Sequence, residues 1–189
     1  MENEKKAYTP DPSVTERLLK TRTIILSGEI SQDKADEICR QLLVLDSESQ
    51  EPVYVYINSP GGDVDSGFAI YDMIRFISSP VTVIGMGLVA SAAALIFLSV
   101  PLERRLGFPD STYLIHQPLS KLRGVAVDVT SYASKISKLR QKLDQLIADA
   151  VGKTREEVEK DTERDHWLSA DEAIEYGIVS KVIRSKADI

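Results

Sequence analysis

The sequence predicts a layered α/β domain with a mostly parallel sheet, and three observations lead there. Short runs of β-branched and aromatic residues recur at 23–26, 53–57, 81–84 and 113–115. Segments with apolar residues at three–four spacing separate them, which is the strand–helix alternation of parallel pairing. At 189 residues and 43% hydrophobic, the chain is long enough for one domain with a sizeable core.

The elements follow in order. The first 20 residues are polar and carry Pro10 and Pro12; they are expected to form a flexible arm that leads into a short helix over 13–20. Thr23-Ile-Ile-Leu26 is strand-like. Ser31 caps a helix whose Ala35, Ile38, Leu42 and Leu45 share one face. Residues 46–51 form a loop, and Val53-Tyr-Val-Tyr-Ile57 alternates as a half-buried strand does. A helix over 64–77 places Val64, Phe68, Tyr71, Ile74 and Ile77 on one face. Ser78-Ser79-Pro80 ends it, and Val81-Thr-Val-Ile84 is the next strand. A helix over 91–98 follows, then an irregular piece, then Tyr113-Leu-Ile115 running into His116.

The C-terminal third differs. Val129, Tyr132, Ala133, Ile136, Leu139, Leu143, Leu146, Ile147 and Val151 keep helical spacing over more than five turns, long for a helix in so small a domain. Such a helix either lies across the sheet or projects toward another subunit. Thr154…Glu157 and Ser169…Glu172 are capping boxes, each opening a short helix. Gly177 ends the second, and 178–183 reads as a final strand. No internal repeat or low-complexity segment is present.

Composition narrows the function. A net charge of −6 argues against nucleic acid and against anionic membrane surfaces as partners. The basic residues from Lys135 to Lys142 are interleaved on a helix and read as a solvated face. The single cysteine, Cys39, excludes a disulfide framework and a thiolate metal site; its helical position suggests a structural role. Residues 81–102 carry no charge over 22 positions, enough to span a bilayer. Gly85, Gly87 and Pro101, with Thr82, Ser91 and Ser99, instead favour a buried strand, a turn and a buried helix. The N-terminus lacks the apolar run of a secretory signal, so a cytoplasmic protein is expected.

Two small-residue turns about thirty positions apart carry the chemistry. Asn58-Ser-Pro-Gly-Gly62 follows one strand and can leave backbone N–H groups bare. Gly85-Met-Gly-Leu-Val-Ala-Ser91 delivers a lone serine into Ala90-Ser-Ala-Ala-Ala94. Bare amides beside a serine suit acyl transfer, which needs a nucleophile and a place for an oxyanion. Against this, a serine in an apolar helix usually bonds the carbonyl one turn back, and Pro-Gly-Gly is usually only a turn. A base is therefore required, and the chain has two histidines. His116 closes a strand, where parallel sheets expose catalytic groups; His166 lies between two short helices. With 29 acidic residues, spacing leaves Asp63, Asp65, Asp110, Asp161 and Asp165 all open as the group that orients the base.

Taken together, Tyr56-Ile-Asn-Ser-Pro-Gly-Gly62, Gly87-Leu-Val-Ala-Ser91, Ile115-His-Gln-Pro118, Glu163-Arg-Asp165 and Leu168-Ser-Ala-Asp-Glu-Ala-Ile-Glu-Tyr-Gly177 resemble, in this order, the motifs of the ClpP family. These are the proteolytic subunits of ATP-dependent caseinolytic proteases. The resemblance runs over about residues 17–183. It implies Ser91 as nucleophile, His116 as general base, Asp165 as orienting acid, and the N–H groups of Gly62 and Ala92 as oxyanion donors. It also implies a crotonase-like ββα spiral with a protruding long-helix handle at about 119–151, in a single peptidase domain over 21–189 behind an N-terminal arm over 1–20.

The activity so implied is a serine endopeptidase that degrades unfolded polypeptide inside two stacked heptameric rings, homo- or heteromeric, forming a tetradecamer. An AAA+ unfoldase ATPase would feed it. No metal and no cofactor are expected, ATP being used only by that partner; no P-loop motif is present. The chain departs from the family pattern at Ala92-Ala93-Ala94, where Met-Gly usually follows the serine, in having one glycine in Leu119-Ser-Lys-Leu-Arg-Gly124, and in its polar arm. These traits resemble divergent paralogues that assemble with a second ClpP-type subunit. A catalytically weak or structural subunit that activates such a partner is therefore the alternative. A crotonase-fold enzyme acting on acyl-CoA is the third reading, and it would normally use paired glutamates.

Overall fold

The computed structural model describes residues 11–118 and 126–189. The first half of the expected arm and the Leu119-to-Gly124 entry to the handle lie outside the described residues. The chain runs α1 (Pro12–Lys20), β1 (Thr23–Ser27), α2 (Gln32–Glu48), β2 (Val53–Ser59), α3 (Val64–Phe76), β3 (Val81–Ala90), α4 (Ala92–Phe97), β4 (Arg105–Gly107), β5 (Thr112–Ile115), α5 (Ala126–Val151), α6 (Arg155–Asp161), β6 (His166–Ser169), α7 (Ala170–Tyr176) and β7 (Lys181–Val182). Strands β1, β2, β3, β4 and β7 pair in that order, all parallel. Strand β5 joins β3 in parallel, and β6 pairs with β5 antiparallel.

The caps stand where the sequence placed them. Ser31 accepts from Lys34 N–H at the start of α2, and Ala35, Ile38, Leu42 and Leu45 are its buried face. Both capping boxes form, at Thr154–Glu157 and at Ser169–Glu172. Gly177 closes α7 at φ +91°, a conformation that favours glycine.

Three expectations are corrected. First, Gly85 and Gly87 do not end a strand: β3 runs through both to Ala90. Gly85 is needed for packing, since a Cβ there would lie against the hydroxyl of fully buried Tyr113 on β5. Gly87 takes φ +60° beside Asn58, whose Oδ1 accepts the Leu88 N–H at 3.1 Å where the β2–β3 register shifts. Past this bend β3 stays beside β2 through Ser59↔Val89 and exchanges β4, paired at Val83–Gly85, for β5, from Leu88↔Thr112 to Ala90↔Leu114. One strand thereby serves two parts of the sheet.

Second, α3 buries Gly67 and Ile70 together with the expected Tyr71, Ile74 and Ile77. Val64 and Phe68 are only half-buried, and Phe68 lies under Lys142 of α5, whose ammonium is 3.9 Å from the ring centroid. Gly67 faces Ala92, so small residues let α3 approach α4. Third, the final strand is only Lys181–Val182, while Ile178 and Val179 are core residues in the turn before it. His166 lies between α6 and α7 as expected, and there it begins strand β6.

Helix α5 spans 26 residues. Its C-terminal half is anchored: Asp144, Ile147 and Ala148 are buried. Toward the N-terminus cover is lost, with Ile136 and Leu139 half-buried and Ala133 exposed. The apolar stripe thus outlasts the core that could cover it. Among the described residues no helix is long and apolar enough to cross a membrane, and the charge-free stretch over 81–102 forms β3, α4 and the turn after it.

Candidate active site

Ser91 sits at the junction of β3 and α4. Its N–H continues the ladder onto Leu114 O at 2.9 Å, while its backbone turns to φ +57°, ψ −121°. A non-glycine residue held there stores on the order of 1–3 kcal/mol of strain. The hydroxyl makes no capping bond, so the ordinary structural use of a serine in this position is absent. Ala92 follows as the first residue of α4, where the N–H has no acceptor within the helix.

The other small-residue turn reaches the same place. Ile30 donates its N–H to Gly61 O at 2.8 Å, and its carbonyl accepts the Asp63 N–H at 2.8 Å. This short parallel bridge skips Gly62, whose N–H has no acceptor among the described residues. Gly61 and Gly62 take φ +90° and +151°, angles that glycine adopts freely. A Cβ on Gly61 would fall 2.7 Å from Ser91 Cβ and 3.0 Å from Ala92 N. Two turns about thirty residues apart in sequence are therefore in direct contact.

His116 follows the last residue of β5. Its Nδ1 lies 3.2 Å from Asp165 Oδ1, with the histidine side chain 11% exposed and the aspartate 59%. Its other ring nitrogen, Nε2, is buried and without a hydrogen-bond partner among the described residues. The antiparallel ladder of β5 and β6 explains the meeting: Ile115 pairs with His166, so the residues beyond them, His116 and Asp165, face each other.

The remaining carboxylates are occupied elsewhere or exposed. Asp63 caps α3, accepting from Ser66 Oγ at 2.6 Å and Ser66 N–H at 2.8 Å, and these bonds hold it below the usual carboxylate range. Asp161 accepts from Tyr176 Oη at 2.8 Å. Asp65 and Asp110 are exposed. The second histidine, His166, packs on Tyr176 with ring centroids 5.3 Å apart. Burial, with a smaller contribution from Asp36, pushes the Cys39 thiol up, away from nucleophilic use. Among the described residues no cluster of three or more His, Cys, Asp or Glu is arranged to hold a metal.

Ser91 and His116 line one small cavity of about 30 Å³, closed by Val64, Leu95, Ile115, Leu143 and Ile147 among others. Sequence reasoning missed this wall. Leu143 and Ile147 read there only as part of a helical stripe, and nothing local marks them as facing the serine. A second, wider pocket of about 370 Å³ opens beside it between Gly62, Val64 and Pro118 on one side and Lys135, Ile136 and Leu139 of α5 on the other.

The model of the Clp protease family matches residues 6–186. The chain is 50% identical over 189 residues to the ATP-dependent Clp protease proteolytic subunit 2 of Treponema denticola, covering 100% of this chain and 94% of that protein. It is 46% identical over 172 residues to the proteolytic subunit 3 of Rhizobium etli, covering 91% and 89%. Among solved structures, the ClpP1 N165D mutant from Listeria monocytogenes superimposes with a TM-score of 0.87 at 41% identity, covering 92% of this chain and 98% of that one. The fold is accordingly the crotonase-like spiral expected above.

Proposed function

The chain belongs to the Clp protease family, and we propose that within it the chain is an active serine endopeptidase with Ser91, His116 and Asp165 as its triad. One observation carries this: His116 meets Asp165 through Nδ1, its Nε2 is buried with no partner among the described residues, and His116 and Ser91 line one cavity. In the reaction Ser91 Oγ attacks the peptide carbonyl as His116 Nε2 takes its proton. The carbonyl oxygen gains the negative charge and is met by the N–H groups of Gly62 and Ala92. The imidazolium, steadied by Asp165, then protonates the leaving amine, and water hydrolyses the acyl-enzyme by the same path. The apolar cavity beside Ser91 suits an uncharged side chain on the acyl side of the cleaved bond.

The same reading makes the bare stripe of α5 the surface through which rings stack, with heptamers paired as a tetradecamer around the active sites. Unfolded polypeptide would enter from an AAA+ ATPase in the cytoplasm, and ATP would be consumed only by that partner. The alternative, a weakly catalytic subunit that activates a second ClpP-type chain, is favoured by one feature: His116 Nε2 has no bond to Ser91 Oγ in this arrangement. Incubation with a serine-directed fluorophosphonate separates the two. One adduct per subunit by intact mass, lost in Ser91→Ala, is the expected result; a chain that stays unlabelled alone and is also unlabelled when mixed with its paralogue is the structural subunit.

A further inference from the structure

Asp165 presents a problem of orientation. Its side chain is 59% exposed, and its bond to His116 is its only hydrogen bond to the described residues. An exposed pair of this kind is weak and does not hold two side chains in one geometry unaided. The position of Asp165 must therefore come from the backbone that carries it.

That backbone is fastened at both ends. On the far side, His166 is locked to Ile115 in the β5–β6 ladder. On the near side the fastener is Gln117, the residue after the base. Its N–H donates to Thr162 O at 2.9 Å, and its side-chain Nε2 donates to Glu163 O at 2.8 Å. Thr162 is itself tied down: it is fully buried, and its hydroxyl donates to Asp144 Oδ1 of α5 at 2.8 Å. Only Arg164 and Asp165 remain between the two fixed points, so the carboxylate has little room to move.

We propose that Gln117 is a positioning residue of the peptidase: its side-chain amide, bonded to Glu163 O, holds the loop of Asp165 at the distance that keeps His116 in register. The inference rests on the triad reading above and adds a residue that touches neither substrate nor the reacting atoms. What matters is the donor. A carbonyl oxygen can only accept, so a side chain of the same size without an N–H closes the space but not the link.

The test compares three variants of the assembled protein, with particle size checked by mass photometry, using turnover of a short fluorogenic peptide and the rate of fluorophosphonate labelling. Gln117→Leu keeps volume and the backbone bond to Thr162 but removes the donor; it is expected to lower kcat by about ten- to a hundredfold, the cost of a small misplacement, with KM within about twofold of native. Gln117→Lys retains a donor and should recover most of the lost kcat, whereas a residue that merely fills space would be served better by leucine. Ser91→Ala is the control for the underlying reading. If Ser91→Ala is inactive while Gln117→Leu turns over as native does, or if Gln117→Lys is no better than Gln117→Leu, the role of Gln117 is overturned and the triad stands. If Ser91→Ala still cleaves, the triad reading itself falls.

Discussion

Gly61 is in contact with Ser91: a methyl group at its Cα would lie 2.7 Å from Ser91 Cβ and equally close to Ala90 O. The glycine is therefore needed for the approach of two turns as well as for its φ of +90°. Gly61→Ala should push the bare amide of Gly62 away from the serine. Loss of one oxyanion donor costs about 10²–10³ in kcat, and the strained backbone costs stability on the order of 1–3 kcal/mol. Peptide turnover and a denaturant melt of the same sample check both; native kcat in the variant contradicts the contact.

Arg105 is a buried cation with no ion pair to a carboxylate among the described residues. Its guanidinium donates to Val100 O at 2.9 Å, Gly177 O at 3.2 Å and Ala150 O at 2.8 Å, joining the turn after α4 to the ends of α5 and α7. Helix C-termini carry partial negative charge, which is what makes a cation tolerable there although burial lowers its proton affinity. Arg105→Met should strand these carbonyls and destabilise by about 3 kcal/mol or more. Arg105→Lys should recover only part of this, because an ammonium cannot span three acceptors in a fixed fork. Equal melting of Arg105→Met and native protein would refute the assignment.

Much of this was legible in the sequence, and the remainder was hidden for identifiable reasons. Ser91, His116 and the glycines of the first turn have local signatures, being small or polar residues against apolar strands. The continuity of β3 was not legible, since the need for Gly85 arises from Tyr113 nearly thirty residues later. Asp165 could not be chosen by spacing because its meeting with His116 is made by β6, four residues too short to show a period. Leu143 and Ile147 keep one helical stripe with Ile136, yet that stripe divides between the cavity wall and the wider pocket beside it.

Asp144 supplies a pH test. Burial raises its carboxyl above the usual range, with the Thr162 hydroxyl and then Arg140 opposing. An acid whose folded value is raised stabilises fully below its unfolded value, near about 3.9, and loses that contribution as pH rises through the folded value. Asp144→Asn keeps an acceptor for Thr162 and cannot ionise. Its Tm relative to native should therefore be higher at pH 7 than at pH 4. The opposite trend would mean that the ion pair with Arg140, 3.7 Å away, outweighs burial.

The division of the α5 stripe decides which residue reports on assembly. Leu143 lines the cavity with Ser91, so its replacement would confuse packing with catalysis. Ile136 is half-buried on the part of α5 that outlasts the core. On the proposed stacking through this face, Ile136→Glu should split paired rings into single ones without unfolding the subunit, read as a halving of particle mass by mass photometry. An unchanged particle mass places the ring contact elsewhere.

If Ser91 is the nucleophile, Ser91→Ala reveals it in the turnover of a short fluorogenic peptide by the assembled protein. The variant removes one hydroxyl that makes no capping bond, so assembly and melting should match the native chain. The rate should fall by about 10⁴ or more, leaving only what the oxyanion site and binding supply. Cleavage by Ser91→Ala at the native rate would contradict the account.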